Sequence, residues 1–370
     1  MKFARDLLLV AAVLVGVLPA GCEAPRPQAP KVMPPGGNPQ HTGVYDTEPL
    51  ESLGGVRWRF NTLGAASGTV VVEEGVAYLG CDEGLVYAID VDAGEEIWRF
   101  NAGRKLYNAP TLTGGLAYVG SSDGHVYAID AATGQEVWRF KTDGGVCSPP
   151  AVHNGIAYAG SHDRFLYLLD AETGEKIDRI EHKFDVCCSP TVARNLLFYP
   201  DWGGNLHAFD TATRERLWTF EVNKPAKWFT APSLGDGVAF HVKFDRFLHA
   251  IDMETGREKW TFEAEGTLCR APAITKGLVV LTTVDSRLYA LRAESGEPIW
   301  EFRGSGPVYS QPAIAGDVVY FGSGDGNVYA LSLETGEELW RFDAGEQVGS
   351  PVPHRGRVLF TSGKGLFALE

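Results

Sequence analysis

The sequence has only 3 Met residues, and it lacks a basic excess, helical repeats and any long apolar stretch beyond its first 20 residues. Its net charge of -14 excludes nucleic acid as a partner, since binding to phosphates needs a basic face. No Ala/Leu-rich amphipathic stretch is present, which excludes helical repeats. What the chain has in quantity is 44 Gly and 11% aromatic residues, a mixture that indicates many short strands joined by tight turns.

The segment 1–21 has the pattern of a lipoprotein signal peptide. Two basic residues precede an apolar run, 7–18, which has the length of a signal peptide core and is too short to span a bilayer. The following "LPAGC" resembles a bacterial lipobox, with two small residues before Cys22. We therefore expect residues 1–21 to be removed and Cys22 to be lipidated; the alternative is plain secretion.

Residues 22–53 are expected to form a proline-rich tether. The stretch 23–40 contains six prolines, and such a composition cannot bury enough apolar area to fold. An extended spacer of this kind would hold a folded body away from a membrane. Glu23 stands where an Asp would favour retention in the inner membrane, so the sequence favours the outer membrane.

Beyond residue 53 the sequence repeats at a regular step, which Trp58, Trp98 and Trp138 mark and which lengthens once, between Trp218 and Trp260. Each unit predicts four strands separated by Gly-bearing turns, as in "VYSQPAIA", "DVVYFGS", "NVYALS" and "EELWRF", which is typical of a propeller blade. The last unit ends at "GLFALE" (365–370) without a fourth strand, whereas "GGVRWRF" (54–60) is a fourth strand without the other three. We therefore predict an all-β fold: an eight-bladed β-propeller over 54–370, with the N-terminal strand closing the C-terminal blade.

Almost every unit carries a tryptophan in its fourth strand, with Asp178 at the missing place. An indole there can lie between neighbouring sheets and bury a large area while its N–H finds a backbone acceptor. The "D-x-x-T-G" that precedes it predicts a turn with glycine in the left-handed conformation. We therefore assign a structural docking role to Trp58, Trp98, Trp138, Trp218, Trp260, Trp300 and Trp340.

The motif "A-x-D-x-x-T-G-x-x-x-W" resembles the repeat of the quinoprotein-type (PQQ-like) β-propeller family. One unit carries it on Ala128, Asp130, Thr133, Gly134 and Trp138. The resemblance covers 54–370, and it implies the fold more strongly than the function. One branch of the family holds periplasmic dehydrogenases that use pyrroloquinoline quinone (PQQ), and the other holds non-catalytic lipoproteins similar to BamB, a subunit of the outer-membrane β-barrel assembly machinery. The lipobox, the tether and the short blades resemble the second branch.

The adjacent Cys187 and Cys188 matter because the family's enzymes have a vicinal disulfide over the quinone. Adjacent Cα atoms lie about 3.8 Å apart when trans, whereas an ordinary disulfide spans about 4.4–6.8 Å, so such a ring is strained. A vicinal disulfide and separate thiols are both compatible with the sequence. The repeat predicts instead that one ring of side chains lines a channel mouth: Tyr107, Cys147, Cys187, Cys188, Phe229, Cys269 and Tyr309.

Other requirements of a quinone enzyme are missing from the sequence. The quinone carboxylates need buried Arg or Lys, and its calcium needs converging Glu, Asn and Asp oxygens, which the dehydrogenases hold in long inserted loops. Here the loops are minimal, no C-x-x-C-H haem attachment is present, and the 9 His show no ligand spacing. Turn formation accounts for the periodic Asp residues of the inner hairpins. We therefore predict no catalytic residue, no cofactor and no metal.

Departures from the average blade cluster around blades four and five. They include Asp178, an irregular turn with Trp202, and the inserted connection "NKPAKWF" (223–229). Aromatic residues beside charged ones are typical of interfaces. We predict a docking patch for a protein or peptide; the alternative is a tryptophan that covers a slipped blade edge. The patch consists of Trp202, Lys224, Lys227 and Trp228.

Together these features predict a non-catalytic, lipid-anchored scaffold that binds a protein or peptide, as a monomer within a larger assembly. Its expected location is the bacterial envelope, at the periplasmic side of the outer membrane or the cell surface. Assembly of outer-membrane proteins is the leading specific function. The alternatives are a periplasmic PQQ-dependent dehydrogenase and a carbohydrate- or polymer-binding surface protein.

Overall fold

The computed structural model describes residues 37–38, 41–66, 68–186, 188–222 and 230–370. Over these ranges the chain consists of short strands, turns and connections. None of the described segments is a helix with the length and apolarity needed to cross a bilayer.

The first strand in the chain, β1 (Val56–Asn61), belongs to the last blade. Blades one and two consist of β2 (Val71–Glu73), β3 (Val76–Gly80), β4 (Leu85–Asp90), β5 (Glu96–Asn101), β6 (Thr111–Thr113), β7 (Leu116–Gly120), β8 (His125–Asp130) and β9 (Glu136–Lys141). Blades three and four consist of β10 (Ala151–His153), β11 (Ile156–Gly160), β12 (Phe165–Asp170), β13 (Lys176–Glu181), β14 (Thr191–Ala193), β15 (Leu196–Pro200), β16 (Leu206–Asp210) and β17 (Glu215–Phe220).

The second half of the chain continues in the same order. Blades five and six consist of β18 (Ser233–Gly235), β19 (Val238–Val242), β20 (Phe247–Asp252), β21 (Glu258–Glu263), β22 (Ala273–Thr275), β23 (Leu278–Thr282), β24 (Arg287–Arg292) and β25 (Pro298–Arg303). Blade seven consists of β26 (Ala313–Ala315), β27 (Val318–Gly322), β28 (Asn327–Ser332) and β29 (Glu338–Asp343). Blade eight combines β1 with β30 (Val352–His354), β31 (Arg357–Ser362) and β32 (Gly365–Leu369).

The eight antiparallel sheets form a closed ring. The first strand of each blade contacts the first strands of both neighbouring blades, which places these strands around a central hub. Blade eight has the strand order β1-β32-β31-β30, with Trp58 opposite Ala368 and Arg59 opposite Phe367. The prediction of eight blades closed by the N-terminal strand is therefore confirmed.

Burial within a blade follows the position of each strand. The third strand of blade two, β8, has four successive buried residues, because its two faces are covered by neighbouring blades. The fourth strand, β9, lies at the rim and is mostly exposed, with Trp138 buried among its exposed neighbours. This gradient explains why third strands are rich in Val, Tyr, Ala and Ile whereas fourth strands alternate charged and aromatic residues.

Aspartates in the turns between second and third strands make local hydrogen bonds. The Asp123 carboxylate accepts the backbone N–H of His125 at 2.8 Å and the hydroxyl of Tyr127 at 2.7 Å. Asp163 and Asp325 accept the corresponding tyrosine hydroxyls of their own blades. These bonds support turn formation as the reason for the periodic Asp residues.

The repeated tryptophans lie in the joints between blades, where six of the seven indole N–H groups donate to a backbone carbonyl of the next blade and that of Trp340 donates to Leu50, ahead of β1. Trp138 Nε1 donates to the Ala171 carbonyl at 3.0 Å, and Tyr118 donates to the same oxygen at 3.0 Å. Gly174 has a φ of +74°, and a Cβ there would lie 2.6 Å from the indole of Trp138, so this place requires glycine. The equivalent indole bonds measure 2.8–3.1 Å for Trp58, Trp98, Trp218, Trp260 and Trp300.

The joint between blades three and four departs from this pattern on both sides. Asp178 replaces the indole, and its carboxylate accepts the backbone N–H of the next residue, Arg179, at 2.8 Å. Opposite it, Arg214 replaces the glycine and keeps the left-handed conformation, with a φ of +60°. A side chain fits at position 214 because no indole fills the joint.

The segment 41–53 begins at the hub and reaches the fourth strand of blade seven before β1 begins. The carbonyls of Thr42 and Gly43 accept the N–H groups of Ile274 and Ile314 on two first strands, at 2.7 and 2.8 Å. At the far end, the Leu50 carbonyl accepts the indole N–H of Trp340 at 2.9 Å. The described part of the segment predicted as a tether therefore packs against the propeller. Residues 22–36 and 39–40 lie outside the described residues, and for them the tether stays a prediction.

Candidate functional site

A cavity of about 360 Å³ lies at the end of the hub where the first strands begin. Three residues of the predicted channel mouth, Tyr107, Cys147 and Cys188, line this cavity. His162, from the β11–β12 turn, and Trp202, from the β15–β16 turn, also line it. The cavity is therefore built mainly from connections that the repeat brings to one end of the ring.

The other residues predicted at the channel mouth have different places. Among the described residues, Cys269 and Tyr309 are not part of the cavity lining. Arg270 lines it instead, and its Nε donates to the Tyr309 carbonyl at 2.5 Å. Cys187 and Phe229 lie outside the described residues, and with them the Cys187–Cys188 disulfide.

Three side chains in this part of the ring form a continuous chain of hydrogen bonds. Cys147 Sγ lies 3.1 Å from His162 Nε2, and His162 Nδ1 lies 3.0 Å from Asp185 Oδ2. The imidazole and the carboxylate are both partly exposed, with 28% and 33% of their side-chain surface accessible. A thiol, an imidazole and a carboxylate in this order are a nucleophile, a base and the group that orients the base.

Backbone hydrogen bonds hold these three residues in place. The His162 N–H donates to the Gly145 carbonyl at 3.0 Å, which ties the β11–β12 turn to the segment before β10. The Asp185 carbonyl accepts the Trp202 N–H at 2.9 Å, which ties the connection between blades three and four to the next turn. The triad is therefore attached to connections supported by the sheets of two blades.

The charge state of His162 is set by these neighbours. The hydrogen bond with Cys147 is the largest influence, and it raises the pKa of His162. Burial opposes this rise, and the hydrogen bond with Asp185 adds to it, so that the pKa is about 9. The imidazole is thus protonated at neutral pH, and a cation next to a thiol favours the thiolate. The arrangement can hold a thiolate–imidazolium pair.

Sequence reasoning placed Cys147 on the channel wall and missed its two partners. In the chain, His162 comes two strands after Cys147, and Asp185 comes four strands after Cys147. No short motif therefore contains all three residues. The repeat offered no signal for His162, because this position differs from blade to blade: blade two has Ser122, and blade six has Val284.

Two hydroxyl groups of the cavity lining have no hydrogen-bond partner within the described residues. They are Ser148 Oγ and Thr230 Oγ1, and Ser148 is only 3% exposed. Trp202 contacts His162 edge-to-face, with 5.0 Å between ring centroids. A buried hydroxyl without a partner costs free energy unless a ligand or water satisfies it. The cavity can therefore offer hydrogen bonds to a polar ligand.

The cavity does not have the groups that PQQ and its calcium need. Among the described residues that line it there is no Asp or Glu, and Arg270 is its single Arg or Lys. Calcium takes six to eight oxygen ligands, commonly carboxylates, and three quinone carboxylates need more than one cation. The described lining therefore does not fit the quinone cofactor.

A second polar cluster is buried between blades three and four. Donor atoms of His182, Asp201 and His207 lie within 4.8 Å of one another, a spacing that a metal ion could use. They already bond within the protein: His207 Nε2 lies 3.0 Å from Asp201 Oδ2, and His182 Nε2 lies 3.3 Å from the Tyr199 hydroxyl. We interpret the cluster as a hydrogen-bonded network rather than a metal site. Burial lowers the pKa of His182 to about 4.

The predicted docking patch is described only in part. Trp202 lies at the cavity, whereas Lys224, Lys227 and Trp228 lie outside the described residues. The predicted lipidation site, Cys22, also lies outside them. For these four residues the sequence-based assignments stay predictions.

The closed ring and its repeats define the class of protein, a quinoprotein-type eight-bladed β-propeller. The family model described as outer membrane protein assembly factor BamB matches residues 49–145, 122–233 and 203–370. The chain belongs to this family.

Solved structures share the fold at low identity. BamB from Moraxella catarrhalis aligns with a TM-score of 0.72 and 16% identity, over 85% of this chain and 99% of that chain. A quinohemoprotein alcohol dehydrogenase from Pseudomonas putida HK5 aligns with a TM-score of 0.78 and 16% identity, over 90% and 79%. The computationally designed Ika8 protein aligns with a TM-score of 0.71 and 18% identity, over 87% and 99%.

A search of curated proteins found no match to this sequence. Because its structural neighbours include BamB and dehydrogenases, their likeness shows the fold and does not choose between a scaffold and an enzyme.

Proposed function

We propose that this chain is a lipid-anchored scaffold of the bacterial envelope, similar in role to BamB, that binds a protein partner with the cavity-bearing end of its propeller. Membership in the BamB family supports this role. The poor fit of the described cavity lining to a quinone and its calcium argues against the dehydrogenase alternative.

The distribution of exposed apolar side chains is the observation that carries the proposal. One set lies on the fourth strands at the rim, as Ile97 and Leu339 do, and recurs from blade to blade. A second set lies on connections at the cavity end: Leu63, Tyr107, Phe244 and Tyr309, with exposures of 61%, 43%, 43% and 36%. Interfaces are enriched in aromatic residues, so this end is the better candidate for docking.

Substitutions in the two sets of exposed apolar side chains, at the cavity end and at the rim, test the docking surface. We expect the triple variant Tyr107→Ser, Phe244→Ser, Tyr309→Ser to bind the partner about tenfold or more weakly, since the few interface residues whose truncation costs over about 1 kcal/mol are enriched in Tyr. The matched control, Ile97→Ser, Ile299→Ser, Leu339→Ser, removes apolar area at the rim and should retain binding. Photo-crosslinking from positions 107 and 339 in intact envelopes, read by mass spectrometry, identifies the partner at each site.

Assembly of outer-membrane proteins is the specific function that we test in cells. In cells lacking the chain, and in cells with the cavity-end triple variant, we expect lower levels of folded β-barrel proteins in the outer membrane. Unchanged levels in both strains would contradict the assembly role, and equal losses with the rim control would contradict the assignment of the surface.

The anchor is tested separately with Cys22→Ser. We expect the wild-type chain to incorporate labelled fatty acid and to sediment with membranes, and the variant to do neither. Sedimentation of an unlabelled wild-type chain would exclude lipidation as the anchor.

Reconstitution with PQQ and calcium tests the dehydrogenase alternative. The described lining predicts no saturable binding at micromolar cofactor and no dye-linked oxidation of alcohols or sugars. Binding with the absorbance of the bound quinone, followed by substrate oxidation, would overturn the scaffold proposal in favour of an enzyme.

A further inference from the structure

We propose that Cys147, His162 and Asp185 form a nucleophilic triad that hydrolyses an ester or thioester inside the hub cavity. This inference goes beyond the scaffold role and does not rest on it. It uses Cys147, His162 and Asp185, whereas docking uses exposed aromatic residues, of which Tyr107 also borders the cavity.

The first support is the geometry of the three groups. The Sγ–Nε2 distance of 3.1 Å and the Nδ1–Oδ2 distance of 3.0 Å place both imidazole nitrogens in hydrogen bonds at once. In a thiol hydrolase the imidazole must exchange a proton with the sulfur on one side and be oriented by a carboxylate on the other. This arrangement satisfies both conditions.

The second support is that the repeat does not require this arrangement. Blade six has Cys269 at the place of Cys147, but Val284 stands at the place of His162. Cys269 Sγ donates instead to the Val308 carbonyl at 3.5 Å, and burial raises the pKa of its thiol. Blade six therefore forms with a partly buried thiol at this place and without the imidazole, so the thiol–imidazole–carboxylate set at Cys147 is not required by the fold.

The third support is a place for the substrate. The cavity has a volume of about 360 Å³, and the buried Ser148 Oγ in its lining has no hydrogen-bond partner within the described residues. Ser148 directly follows the nucleophile, so its hydroxyl is a candidate donor to the oxyanion that forms on a carbonyl attacked by Cys147. Trp202 supplies an apolar wall beside His162.

The electrostatics agree with this role. The raised pKa of His162, about 9, keeps a proton on the imidazole, and a cation beside a thiol favours the thiolate. The other titratable or charged groups of the described lining are His41, Tyr107, Cys188 and Arg270. Burial lowers the pKa of His41 to about 4, so it is neutral at pH 7 and adds no competing charge.

The reaction needs only the acyl substrate and water. The Cys147 thiolate attacks the carbonyl carbon, a C–S bond forms, and the carbonyl oxygen becomes an oxyanion. Collapse of this intermediate breaks the bond to the leaving group, which takes the Nε2 proton of His162 and departs as an alcohol or thiol. His162 then takes a proton from water, whose oxygen attacks the acyl carbon and releases Cys147 as a thiolate and the product as a carboxylic acid. No electron is gained or lost by the protein.

Alkylation of the full-length chain with iodoacetamide tests the nucleophile. At pH 6 we expect Cys147 to react about tenfold or more faster than Cys269, because a thiol with an ordinary pKa near 8.5 is almost fully protonated there. His162→Gln should move the pH profile of Cys147 towards that of an ordinary thiol, and Asp185→Asn should move it in the same direction. Equal rates for the two cysteines at pH 6, or an unchanged profile in His162→Gln, would overturn the proposal.

Hydrolysis of p-nitrophenyl acetate and of a short acyl thioester tests the reaction. Cys147→Ser or His162→Gln should reduce turnover by about 100-fold, whereas the matched control Cys269→Ser should leave it unchanged. An acetyl group should be found on Cys147 by mass spectrometry of the quenched wild-type reaction. Turnover that survives in Cys147→Ser, or a Cys147 that is alkylated but never acetylated, rules out acyl transfer.

Ser148→Ala separates chemistry from folding. We expect it to lower ester turnover by about tenfold or more, through loss of an oxyanion donor, while Cys147 alkylation is unchanged because alkylation forms no oxyanion. Equal loss in both assays would contradict the role of Ser148. Partner binding should survive in Cys147→Ser, so failure of the triad and failure of the scaffold proposal give different results.

Discussion

Two neighbouring joints come from the same repeat: one lies between blades two and three, and the other lies between blades three and four. Only the first contains an indole. In the first, Trp138 is buried against Gly174 and donates to the Ala171 carbonyl. In the second, Asp178 is exposed and bonds to its own strand, and Arg214 stands where the glycine would be.

The second joint keeps an apolar cluster, with Leu168 of blade three and Phe209 of blade four among its members, and has polar rings in addition. His182, at the end of blade three, contacts Tyr199 and His207 of blade four, with ring centroids 5.3 and 4.8 Å apart. The candidate triad lies at the same joint, since Asp185 is in the connection between these two blades. This joint therefore lacks the indole, keeps its apolar cluster, and adds a titratable network beside the candidate site.

The largest effect that we expect from this comparison is on stability. Trp138→Ala should lower the free energy of unfolding by about 3–5 kcal/mol, because it removes a buried indole and leaves a cavity. Asp178→Ala, its counterpart in the other joint, should change the free energy by less than about 0.5 kcal/mol, since the side chain is exposed. Denaturant unfolding of both variants measures the contrast. Similar losses of unfolding free energy in the two variants would mean that Trp138 and Asp178 contribute equally to stability.

The next effect is a dependence on pH, to which the polar joint contributes through His182; burial also lowers the pKa of His41 and of His241, to about 4 and about 3, outside this group. The pKa of His182 is about 4 in the folded protein and its ordinary value is 6.5, so between these values the unfolded chain binds more protons and stability falls as the pH falls. Lowering the pH from 7 to 5 should cost about 2 kcal/mol through this group. Asp201, His207 and Arg216 also act on its charge.

His182→Thr is the matched variant for this effect, because Thr142 stands at the same place in blade two. We expect the variant to lose about 2 kcal/mol less than the wild type between pH 7 and 5. Hydrogen exchange should show that the strands of blades three and four open first in acid. The same loss in variant and wild type would assign the acid sensitivity to other groups.

The smallest effect comes from rebuilding the missing indole. Asp178→Trp with Arg214→Gly should raise the free energy of unfolding by about 1–2 kcal/mol through apolar burial. Asp178→Trp alone should not stabilise, because a side chain at position 214 would collide with the indole, as a Cβ at Gly174 would in the neighbouring joint. A double-mutant cycle measures the coupling between the two positions. Additive single effects would show that position 214 does not control the joint.

The ring was predictable from the sequence because closure depends on the repeat. The unit that ends at 365–370 lacks a fourth strand and β1 supplies it, so counting strands was enough to pair Trp58 with the neighbours of Phe367. The joints were less predictable. The replacement of Trp by Asp178 was visible, but its link to Arg214 depends on how two successive blades face each other.

The packing of residues 41–53 and the triad could not be predicted from local sequence patterns. Proline content favoured a tether, yet Val44, Tyr45 and Leu50 are apolar residues within 22–53 that pack against the propeller. The triad brings together residues from three separate connections, and only the folded ring places their side chains within hydrogen-bond distance. A site whose residues meet only in the folded chain has no characteristic spacing of residues in the sequence.

The path of residues 41–50 also bears on how the ring could open. The backbone bonds to Ile274 and Ile314 lie on the first strands of blades six and seven, whereas the indole bond at Leu50 lies at the fourth strand of blade seven. The chain that supplies β1 to blade eight is therefore fastened to blade seven at both its inner and its outer strand. Separating blades seven and eight would have to break the strand pairing of β1 or these bonds as well.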